Sequence, residues 1–401
     1  MSKVVVIGGG ASGLVAAILA SNHHEVILLE ANDRCGKKLL LTGNGKCNYW
    51  NSEIKIDHYQ TDSIENLSNI ISNANQEEVF SFLGSMGIYP KIKNGYYYPY
   101  SNQATSVRTL LLNEIERRKI KVIYTFKVES ILKRDNGFVV KSENTEIICD
   151  KVILAAGSKA CPKTGSDGSS YDLASSLGHH IHSITPSLTP LKGSESYFKE
   201  WNGVRCDSRI SLLVDNKKVL EEEGEIQLTD YGISGICTFN ISGLATKNLE
   251  QKKKVMVRIN FLPFLSNSFY NWFNERNQNI PNHTIEELLE SILPYKLMFV
   301  LLKKANVNRE EKWNNLAEDE KRNLANIIEN FELEITGYQS FDRAQVVTGG
   351  VALAEIDPNT MESLVMPNLY LVGELLDVDG KCGGFNLTFA FISGYLAGKG
   401  V

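Results

Sequence analysis

The sequence has no surplus of basic residues and no hydrophobic run long enough to cross a membrane. It contains 42 lysines and arginines against 47 aspartates and glutamates, which gives a net charge of −5. A dedicated nucleic-acid-binding protein usually carries a basic surplus, so the composition argues against that class. The apolar stretches Leu14–Ala20 and Phe385–Ala397 are too short for a transmembrane helix, and the first lacks the basic flank of a signal sequence. We expect a cytoplasmic protein that does not bind a membrane.

Closely spaced cysteines are also missing. The seven cysteines stand at positions 35, 47, 149, 161, 206, 237 and 382, and no two of them form a C-x-x-C pair. We therefore expect reduced thiols rather than disulfides or a structural zinc site. His179, His180 and His182 follow a predicted helix over residues 170–178, with no cysteine or carboxylate at metal-ligand spacing. We expect these histidines to interact with the negative end of that helix, and we predict no metal site.

Glycine, by contrast, is concentrated near the start of the chain. The β-branched run Lys3–Ile7 predicts a buried parallel strand, and Gly8–Gly13 (GGGASG) follows it at once. This segment fits G-x-G-x-x-G, whose glycines allow a tight turn, close approach of a pyrophosphate, and packing of the next helix on the strand. A second strand, Glu25–Leu29, leads to Glu30, whose carboxylate can accept hydrogen bonds from a ribose and would repel the 2′-phosphate of NADP. The order predicts a domain that binds FAD or NAD.

Three later segments favour FAD. Lys151–Gly157 (KVILAAG) predicts a buried strand whose end reaches the cofactor. Leu369–Val372 predicts another, followed by Gly373 and Glu374, which can approach a ribityl chain and accept its hydroxyl hydrogens. Asp379–Asn386 (DGKCGGFN) opens a predicted helix, and a helix N-terminus stabilises negative charge such as that of a reduced flavin ring.

The segment Arg34–Asn48 (RCGKKLLLTGNGKCN) resembles the GKKL-[IL]-[ST]-G-x-G-[RK]-C-N signature of the BaiN/YhiN-like flavoproteins. This is a family of NAD(P)/FAD-dependent oxidoreductases that includes aminoacetone oxidase-like enzymes. Further matching blocks extend the resemblance over nearly the whole chain: Tyr98–Ser101, Pro162–Ser166, Tyr231–Gly235, Thr348–Val351 and Gly373–Gly394.

The resemblance implies a set of FAD contacts along the chain. The residues expected at the pyrophosphate are Gly8, Gly10, Ala11, Ser12 and Gly13, with Glu30 at the adenosine ribose. Those expected in the loop on the flavin side are Lys38, Leu39, Thr42, Gly43, Asn44 and Asn48. Those expected near the adenine are Val128, through its backbone, and Ala156 and Gly157 beneath it. Those expected at the ribityl chain and the ring are Gly373, Glu374, Gly384, Phe385, Asn386 and Leu387.

The resemblance also implies an α/β fold. In it, a Rossmann-like FAD-binding domain of the glutathione-reductase type is interrupted by a β-barrel domain carrying a helical insert. The local pattern agrees, because alternating runs such as Arg209–Val214 predict antiparallel strands and Thr284–Glu287 predicts a helix start. The predicted boundaries are residues 1–187 and 343–401 for the FAD-binding domain, 188–264 and 332–342 for the barrel domain, and 265–331 for the helical insert.

Lys381 and Cys382 are the predicted catalytic residues. A helix N-terminus and a neighbouring ammonium group both lower a thiol pKa, so Cys382 could donate a proton. The alternative is that it only fills space. Cys35 and Cys47 are too far apart in sequence for the paired thiols of a flavin disulfide reductase, and packing is the preferred role of Cys47. The tyrosines at positions 96, 97, 98 and 100 could stack on a flat substrate or belong to the core.

The favoured function is a reductase in which NAD(P)H reduces FAD and the flavin passes hydride to an unsaturated small molecule. No second strand–GxGxxG–helix unit follows Gly13, so we expect NAD(P)H to bind only transiently. Two alternatives remain: an amine or aminoketone oxidase that uses oxygen, and a flavin-dependent reductase of a uridine in ribosomal RNA. RNA is the less favoured partner, and the sequence does not predict an oligomeric state.

Overall fold

The two apolar runs near the start of the chain form adjacent parallel strands, as their composition predicts. The computed structural model describes all 401 residues, and Lys3–Ile7 (β1) pairs along its whole length with Glu25–Leu29 (β2). Helix α1 (Ala11–Ala20) connects them. The chain divides into two units, residues 1–185 with 345–401 (unit 1) and residues 186–344 (unit 2).

The remaining helices and strands follow in chain order. Up to residue 187 they are β3 (Trp50–Asn51), β4 (Tyr59–Gln60), α2 (Ile64–Asn73), α3 (Gln76–Ser85), β5 (Pro90–Lys93), β6 (Tyr96–Pro99), α4 (Ala104–Arg117), β7 (Lys121–Ile123), β8 (Ser130–Arg134), β9 (Gly137–Ser142), β10 (Thr145–Cys149), β11 (Lys151–Leu154), α5 (Ser169–Ser176) and β12 (Thr185–Ser187). Next come β13 (Leu191–Lys192), α6 (Phe198–Trp201), β14 (Arg205–Val214), β15 (Lys217–Leu228), β16 (Gly232–Gly235), α7 (Ile236–Glu250), β17 (Val255–Asn260), α8 (Phe269–Asn279), α9 (Ile285–Leu289), α10 (Tyr295–Ala305), α11 (Glu318–Glu329), β18 (Phe331–Glu334) and β19 (Gly337–Tyr338). The chain closes with β20 (Val346–Thr348), β21 (Leu369–Leu371), β22 (Asp379–Gly380) and α12 (Phe385–Gly400). Short 3-10 turns occur at Leu39–Gly45, Ile56–His58, Pro162–Thr164, Trp313–Asn315, Leu353–Glu355 and Gly373–Leu375.

Five parallel strands form the central sheet of unit 1, in the order β21-β11-β1-β2-β7. The chain starts in the middle of the sheet, moves outward through β2 and β7, and returns on the other side of β1 through β11 and β21. This is a Rossmann-type arrangement, in which ligands bind outside the carboxyl ends of the strands. Gly8, Glu30, Ala155 and Val372 directly follow four of those ends, so several predicted site residues lie at one edge of the sheet.

Helices α1 and α12 pack against each other through glycines. A Cβ atom at Gly394 would lie 2.4 Å from the Ser12 carbonyl oxygen, and one at Gly398 would lie 2.7 Å from the Ala16 carbonyl oxygen. These distances are shorter than van der Waals contact, so the two backbones can approach this closely only where the side chain is a hydrogen atom. Although α12 is almost entirely buried, no helix of the structure combines the length and the apolar character that crossing a membrane requires.

Unit 2 contains a seven-stranded antiparallel sheet in the order β18-β17-β14-β15-β16-β13-β19. Its end strands, β18 and β19, do not pair with each other, so the predicted closed β-barrel is not found. The physical reason is that α7 packs against β14, β15 and β16. The helix covers apolar surface that a barrel would bury by curling the sheet on itself. Helices α8 to α11 lie between β17 and β18 in the chain and contribute apolar residues to the core of this unit.

The close packing of α1 and α12 predicts that Gly394→Ala lowers the free energy of unfolding by about 1–3 kcal/mol, the usual cost of overpacking. Urea denaturation followed by circular dichroism measures this change. Gly84→Ala is the matched control, because Gly84 also lies in a helix, is exposed, and has no atom within 4 Å of the added Cβ. It should leave stability unchanged or raise it slightly, since alanine is the better helix former. Equal stability of the two variants would contradict the packing argument.

Candidate flavin site

The three motif glycines differ in what surrounds them. A Cβ atom at Gly8, whose φ is +103°, would lie 2.4 Å from the Ala155 carbonyl oxygen, and one at Gly13 would lie 1.9 Å from the Gly8 carbonyl oxygen. These two glycines therefore allow the turn and the packing of α1 on the sheet, as predicted. At Gly10 an added Cβ would meet nothing within 4 Å. The backbone of Gly10 is thus open to an approaching group, and the first-turn N–H groups of α1 beside it have no intrahelical acceptor.

The Glu30 side chain is buried at the end of β2 and is held in place by two backbone donors and one side-chain donor. Its Oε2 accepts a hydrogen bond from Gly9 N at 3.0 Å, and its Oε1 accepts from Asn32 N and Asn32 Nδ2 at 2.8 Å each. A carboxylate oxygen can accept about two hydrogen bonds, so Oε2 retains the capacity to accept one from a ribose hydroxyl. The predicted position of Glu30 fits an adenosine ribose.

Asn32 is a residue that the sequence reasoning missed. Besides its two bonds to Glu30, its Nδ2 donates to the Thr164 carbonyl oxygen at 3.1 Å and its Oδ1 accepts from Lys37 Nζ at 2.9 Å. It therefore joins the end of β2 to the Pro162–Ser166 block. The position of Asn32, two residues after a strand-terminal acid, permits such a side-chain turn, but only the fold reveals the Thr164 partner.

The residues expected near the adenine lie on two segments of the same region. Beyond β7, Phe126 N donates to the Glu30 carbonyl oxygen at 2.9 Å, and the buried Val128 follows two residues later. After β11, Ala156 is half-buried and Gly157 adopts a φ of +78°. The Gly157 carbonyl oxygen accepts a hydrogen bond from Ser170 Oγ at 2.7 Å, which fixes the turn after the strand.

A partly buried ionic contact links the signature loop, residues 34–48, to the segment after β21. Lys38 Nζ lies 2.6 Å from Glu374 Oε2, and Ser158 Oγ donates to Glu374 Oε1 at 2.8 Å. The neighbouring Gly373 has a φ of +73°, and a Cβ there would lie 2.5 Å from Ser12 Oγ. The structure thus brings the predicted residues Lys38, Gly373, Glu374 and Ser12 together. Ser158 is an addition that no sequence pattern indicated.

The signature loop reaches the start of α12 through Asn48. Gly43 and Asn44 have φ values of +55° and +54°, and Cys47 N donates to the Thr42 carbonyl oxygen at 2.9 Å. With its amide oriented to satisfy its neighbours, Asn48 donates to the carbonyl oxygens of Trp50 and Tyr97 and accepts from Gly384 N at 3.3 Å. Leu39 is buried beneath the loop. Asn48 therefore joins the signature loop to the N-terminus of α12.

The turn over residues 380–384, which we call the reactive turn, is held on both sides. Gly380 pairs with Tyr59, and the Asn386 side chain exchanges hydrogen bonds of 2.8 and 2.7 Å with the Gly380 backbone. Asn51 Nδ2 donates to the Gly383 carbonyl oxygen at 2.8 Å, and Gly384 adopts a φ of +94° as the cap of α12.

The predicted catalytic residues Lys381 and Cys382 lie on this turn, half-buried, with Lys381 N donating to the His58 carbonyl oxygen at 2.8 Å. Phe385 packs beside the turn, with its ring 4.6 Å from that of His58 and 5.8 Å from that of Tyr59. Asn51 and His58 were missed by the sequence reasoning.

These features together fit FAD. The open backbone at Gly10 and the N-terminus of α1 suit a pyrophosphate, and Glu30 suits the adenosine ribose. Lys38 and Glu374 suit the ribityl chain and the flavin. The N-terminus of α12 offers first-turn N–H groups at Phe385, Asn386 and Leu387, which suit the ring because they have no intrahelical acceptor.

The comparisons with known proteins agree with this geometry. Residues 2–400 match the family described as HI0933-like protein Rossmann domain. The chain belongs to this family. Over 375 residues it is 39% identical to the 3-dehydro-bile acid delta(4,6)-reductase of Clostridium scindens. The aligned region covers 93% of this chain and 92% of the relative. It is 26% identical over 377 residues to the ribosomal RNA dihydrouridine synthase of Haemophilus influenzae, covering 92% and 90% of the two chains.

A solved structure supports the fold. The open conformation of a flavocytochrome c3 fumarate reductase aligns with 100% of this chain and 78% of its own length, with a TM-score of 0.52 and 14% identity. Membership of the HI0933-like family confirms the predicted family and the Rossmann-type FAD-binding fold. The protein is an FAD-dependent oxidoreductase, as the sequence predicts.

The cysteines of the signature loop are buried thiols. All seven cysteines are free, and burial raises the pKa of both Cys35 and Cys47 to about 12. The Cys35 sulfur packs against Gly9, where an added Cβ would lie 2.3 Å from it. A thiol with so high a pKa is a poor nucleophile at neutral pH, which favours the packing role over a disulfide reductase mechanism.

The histidines after α5 pair with carboxylates from distant segments. His179 is buried, with Nδ1 2.8 Å from Glu355 Oε2 and Nε2 2.8 Å from Ser363 Oγ. His182 Nδ1 lies 3.3 Å from Asp62 Oδ2, and Asp377 joins them in a cluster whose ligand-type atoms lie within 4.8 Å of one another. These partners replace the helix-end interaction that we expected for His179 and His182.

Gly10→Ala should weaken FAD binding at least about tenfold, which corresponds to about 1.4 kcal/mol, because the methyl group occupies the space that a pyrophosphate needs. The apoprotein should keep its stability, since the added atom meets nothing and the φ of −81° suits any residue. Flavin fluorescence quenching gives the dissociation constant and urea denaturation gives the stability. Gly8→Ala, which clashes with Ala155, should instead destabilise the fold. Unchanged FAD affinity in Gly10→Ala would show that the pyrophosphate lies elsewhere.

The thiol pKa values predict a selective reaction with an aromatic disulfide reagent at pH 8. Burial also raises the pKa of Cys149 and Cys237 to about 12, so at pH 8 only about one such thiol in ten thousand is ionised. The native protein should therefore react readily at no more than Cys161 and Cys382, because burial also raises the pKa of the half-buried Cys206 to about 11. The protein unfolded in guanidinium should react with the reagent at all seven thiols. Rapid reaction of Cys35 or Cys47, located by peptide mapping, would contradict the packing role.

Proposed function

We propose that the protein reduces a carbon–carbon double bond conjugated to a ring ketone in a small, steroid-like molecule, with a reduced nicotinamide as the electron source. The observation that carries this proposal is the 39% identity, over nearly the full length of both chains, to a reductase of 3-dehydro bile acids. The identity to a ribosomal RNA dihydrouridine synthase is 26%. The greater similarity therefore favours the small-molecule acceptor over RNA.

The reaction balances with these reactants. A hydride, which carries two electrons, leaves the reduced nicotinamide, and an equivalent hydride reaches one carbon of the double bond. A proton from solvent reaches the neighbouring carbon, so the nicotinamide is oxidised and the double bond is reduced. Bound FAD supplies the two-electron relay between these partners.

The protein's contribution begins with binding and orientation. The N-terminus of α1 and the open Gly10 backbone would hold the pyrophosphate, while Glu30 would hold the adenosine ribose through its remaining acceptor capacity. Glu374 is kept in one position by Lys38 and Ser158, so its carboxylate is already oriented when the cofactor binds. The positive end of the α12 dipole favours negative charge on a reduced ring.

Proton supply is the second contribution. Lys381 and Cys382 lie on the reactive turn, and the Tyr98 ring, on strand β6, lies beside Gly43 of the signature loop. Burial and the nearby Tyr96 raise the pKa of Tyr98, so its hydroxyl keeps its proton throughout the physiological pH range. Such a hydroxyl can donate a hydrogen bond to the ketone oxygen, on which negative charge develops as hydride is added to the conjugated system. Lys381 or Cys382 would then protonate the carbon.

The nicotinamide would visit the same site in turn. The sequence contains a single G-x-G-x-x-G unit between a strand and a helix, at residues 8–13. A donor that binds and leaves before the acceptor enters gives a ping-pong scheme, in which either reactant at high concentration competes with the other. This scheme accounts for two substrates with one dinucleotide-binding fold.

Anaerobic stopped-flow absorbance tests the proposal. NADH or NADPH should bleach the flavin band, and a 3-oxo steroid acid with a 4-ene or a 4,6-diene should restore it with formation of the more saturated acid. A fully saturated 3-oxo steroid acid is the control and should restore nothing. Bleaching by aminoacetone with rapid recovery in air, and none by a nicotinamide, would indicate an oxidase. Recovery only with a uridine-containing ribosomal RNA fragment would indicate the RNA reductase.

A further inference from the structure

The small sheet of β3, β5 and β6 has two different faces. Trp50 pairs with Tyr97, and both rings pack against Phe80, with ring centroids 5.9 and 5.4 Å away. Side chains alternate along a strand, so Tyr96 and Tyr98 project from the opposite face. That second face is not absorbed by the core, since Tyr96 is 37% exposed.

This second face lies beside the flavin site. A Cβ atom at Gly383 of the reactive turn would lie 2.9 Å from Tyr96 Cε1, and one at Gly43 of the signature loop would lie 3.7 Å from Tyr98 Cε1. Asn51, which pairs with Tyr96, donates to the Gly383 carbonyl oxygen. Tyr96 therefore adjoins the reactive turn, and Tyr98 adjoins the signature loop.

The same face continues outward with lysines and a third tyrosine. Lys93 pairs with Tyr96 and Lys91 pairs with Tyr98, and directly opposed residues of an antiparallel pair share a face. Tyr100 follows two residues after Tyr98 and is 65% exposed, and Lys91 Nζ lies 5.9 Å from its ring centroid. We call Tyr96, Tyr98, Tyr100, Lys91 and Lys93 the Tyr–Lys strip.

The charges of the strip are not neutralised by the protein. Neither Lys91 nor Lys93 has a carboxylate within salt-bridge distance, whereas Lys38 and Lys55 of the same unit pair with Glu374 and Glu53. The strip is thus apolar and aromatic at its inner end and positively charged along its outer edge. From Tyr96 to Tyr100 it extends about 13 Å, four residues of extended chain.

We propose that the Tyr–Lys strip binds the part of the acceptor that lies beyond the reacting ring, and that the acceptor is a planar polycyclic acid. This inference rests on the proposed reduction of a conjugated ring ketone. The flat ring system would lie against Tyr96, Tyr98 and Tyr100, which present aromatic surface. The carboxylate would lie to the side of the tyrosines, over the edge strand β5, near Lys91 and Lys93. The strip therefore selects acids over neutral steroids of the same skeleton, while the chemistry takes place at the reactive turn.

The test compares a 3-oxo-4-ene steroid acid with its methyl ester, which has the same rings but no charge. The variant is Lys91→Gln/Lys93→Gln, and the control is Lys121→Gln/Lys217→Gln, which removes the same charge from exposed sites with no ion pair. Isothermal titration calorimetry gives the dissociation constant of each ligand, and steady-state turnover gives KM and kcat. In the strip variant the dissociation constant and KM for the acid should rise about fivefold, as expected for two exposed charge contacts. The values for the ester, and kcat for both, should not change.

Salt provides a second readout. Exposed charge contacts are screened as ionic strength rises, so the KM of the unaltered protein for the acid should rise with salt. This dependence should be lost in Lys91→Gln/Lys93→Gln and retained in the control variant. Tyr100→Ala should weaken the binding of the acid and of the ester to the same extent, because it removes an aromatic contact but no charge.

The outcomes separate this inference from the proposed function. If the acid is turned over but the lysine variant leaves its KM and dissociation constant unchanged, the proposed role of the strip is wrong and the reductase function still stands. Lysine-dependent binding of the acid without any turnover would support the strip and count against the reductase. An equal loss of affinity for the acid and the ester in the lysine variant, or no binding of either ligand, would overturn the proposed role of the strip. So would a lysine effect confined to a ribosomal RNA fragment, which would assign the strip to RNA instead.

Discussion

Helix α1 approaches two neighbours closely, and each approach requires a residue without a side chain. Gly13 allows the helix to lie against the turn after β1, while Gly394 and Gly398 allow α12 to lie against the helix backbone. With these contacts in place, the N-termini of α1 and α12 belong to the same compact unit as the carboxyl ends of β1, β2, β11 and β21. Two helix dipoles and a row of strand ends are thereby fixed before any ligand binds. Such preorganisation limits the structural change that cofactor binding must induce.

The parts of the molecule that could be predicted from the sequence are those determined by nearby residues. The strand runs at Lys3–Ile7 and Glu25–Leu29, the three motif glycines and the position of Glu30 all depend on local spacing, and the structure contains each of them. The closed barrel was not confirmed, because alternation predicts strands but not how a sheet ends. Whether the sheet curls or is covered depends on α7, which directly follows β16 in the chain but packs across β14, β15 and β16.

The missed site residues have the same explanation. Asn51 and Ser158 act through partners more than two hundred residues away in the chain, and no local pattern indicates such a contact. His179 and His182 were expected to interact with their own helix, yet Glu355 and Asp62 lie closer in the fold. The FAD contacts assigned by resemblance, the catalytic roles of Lys381 and Cys382, the domain boundaries and the nicotinamide donor stay predictions, although the geometry of the site is consistent with the FAD contacts.

The link between the signature loop and α12 has a consequence for biosynthesis. Lys38 and Glu374 are 336 positions apart, and one of the three partners of Asn48 is Gly384. During translation the glycine-rich motif emerges early, but the flavin side of the site cannot close until residues beyond 384 have been made. Contacts of such long sequence separation form slowly. A chain that ended before residue 374 would therefore contain the glycine-rich motif but would lack both Glu374 and Gly384, the partners of Lys38 and Asn48.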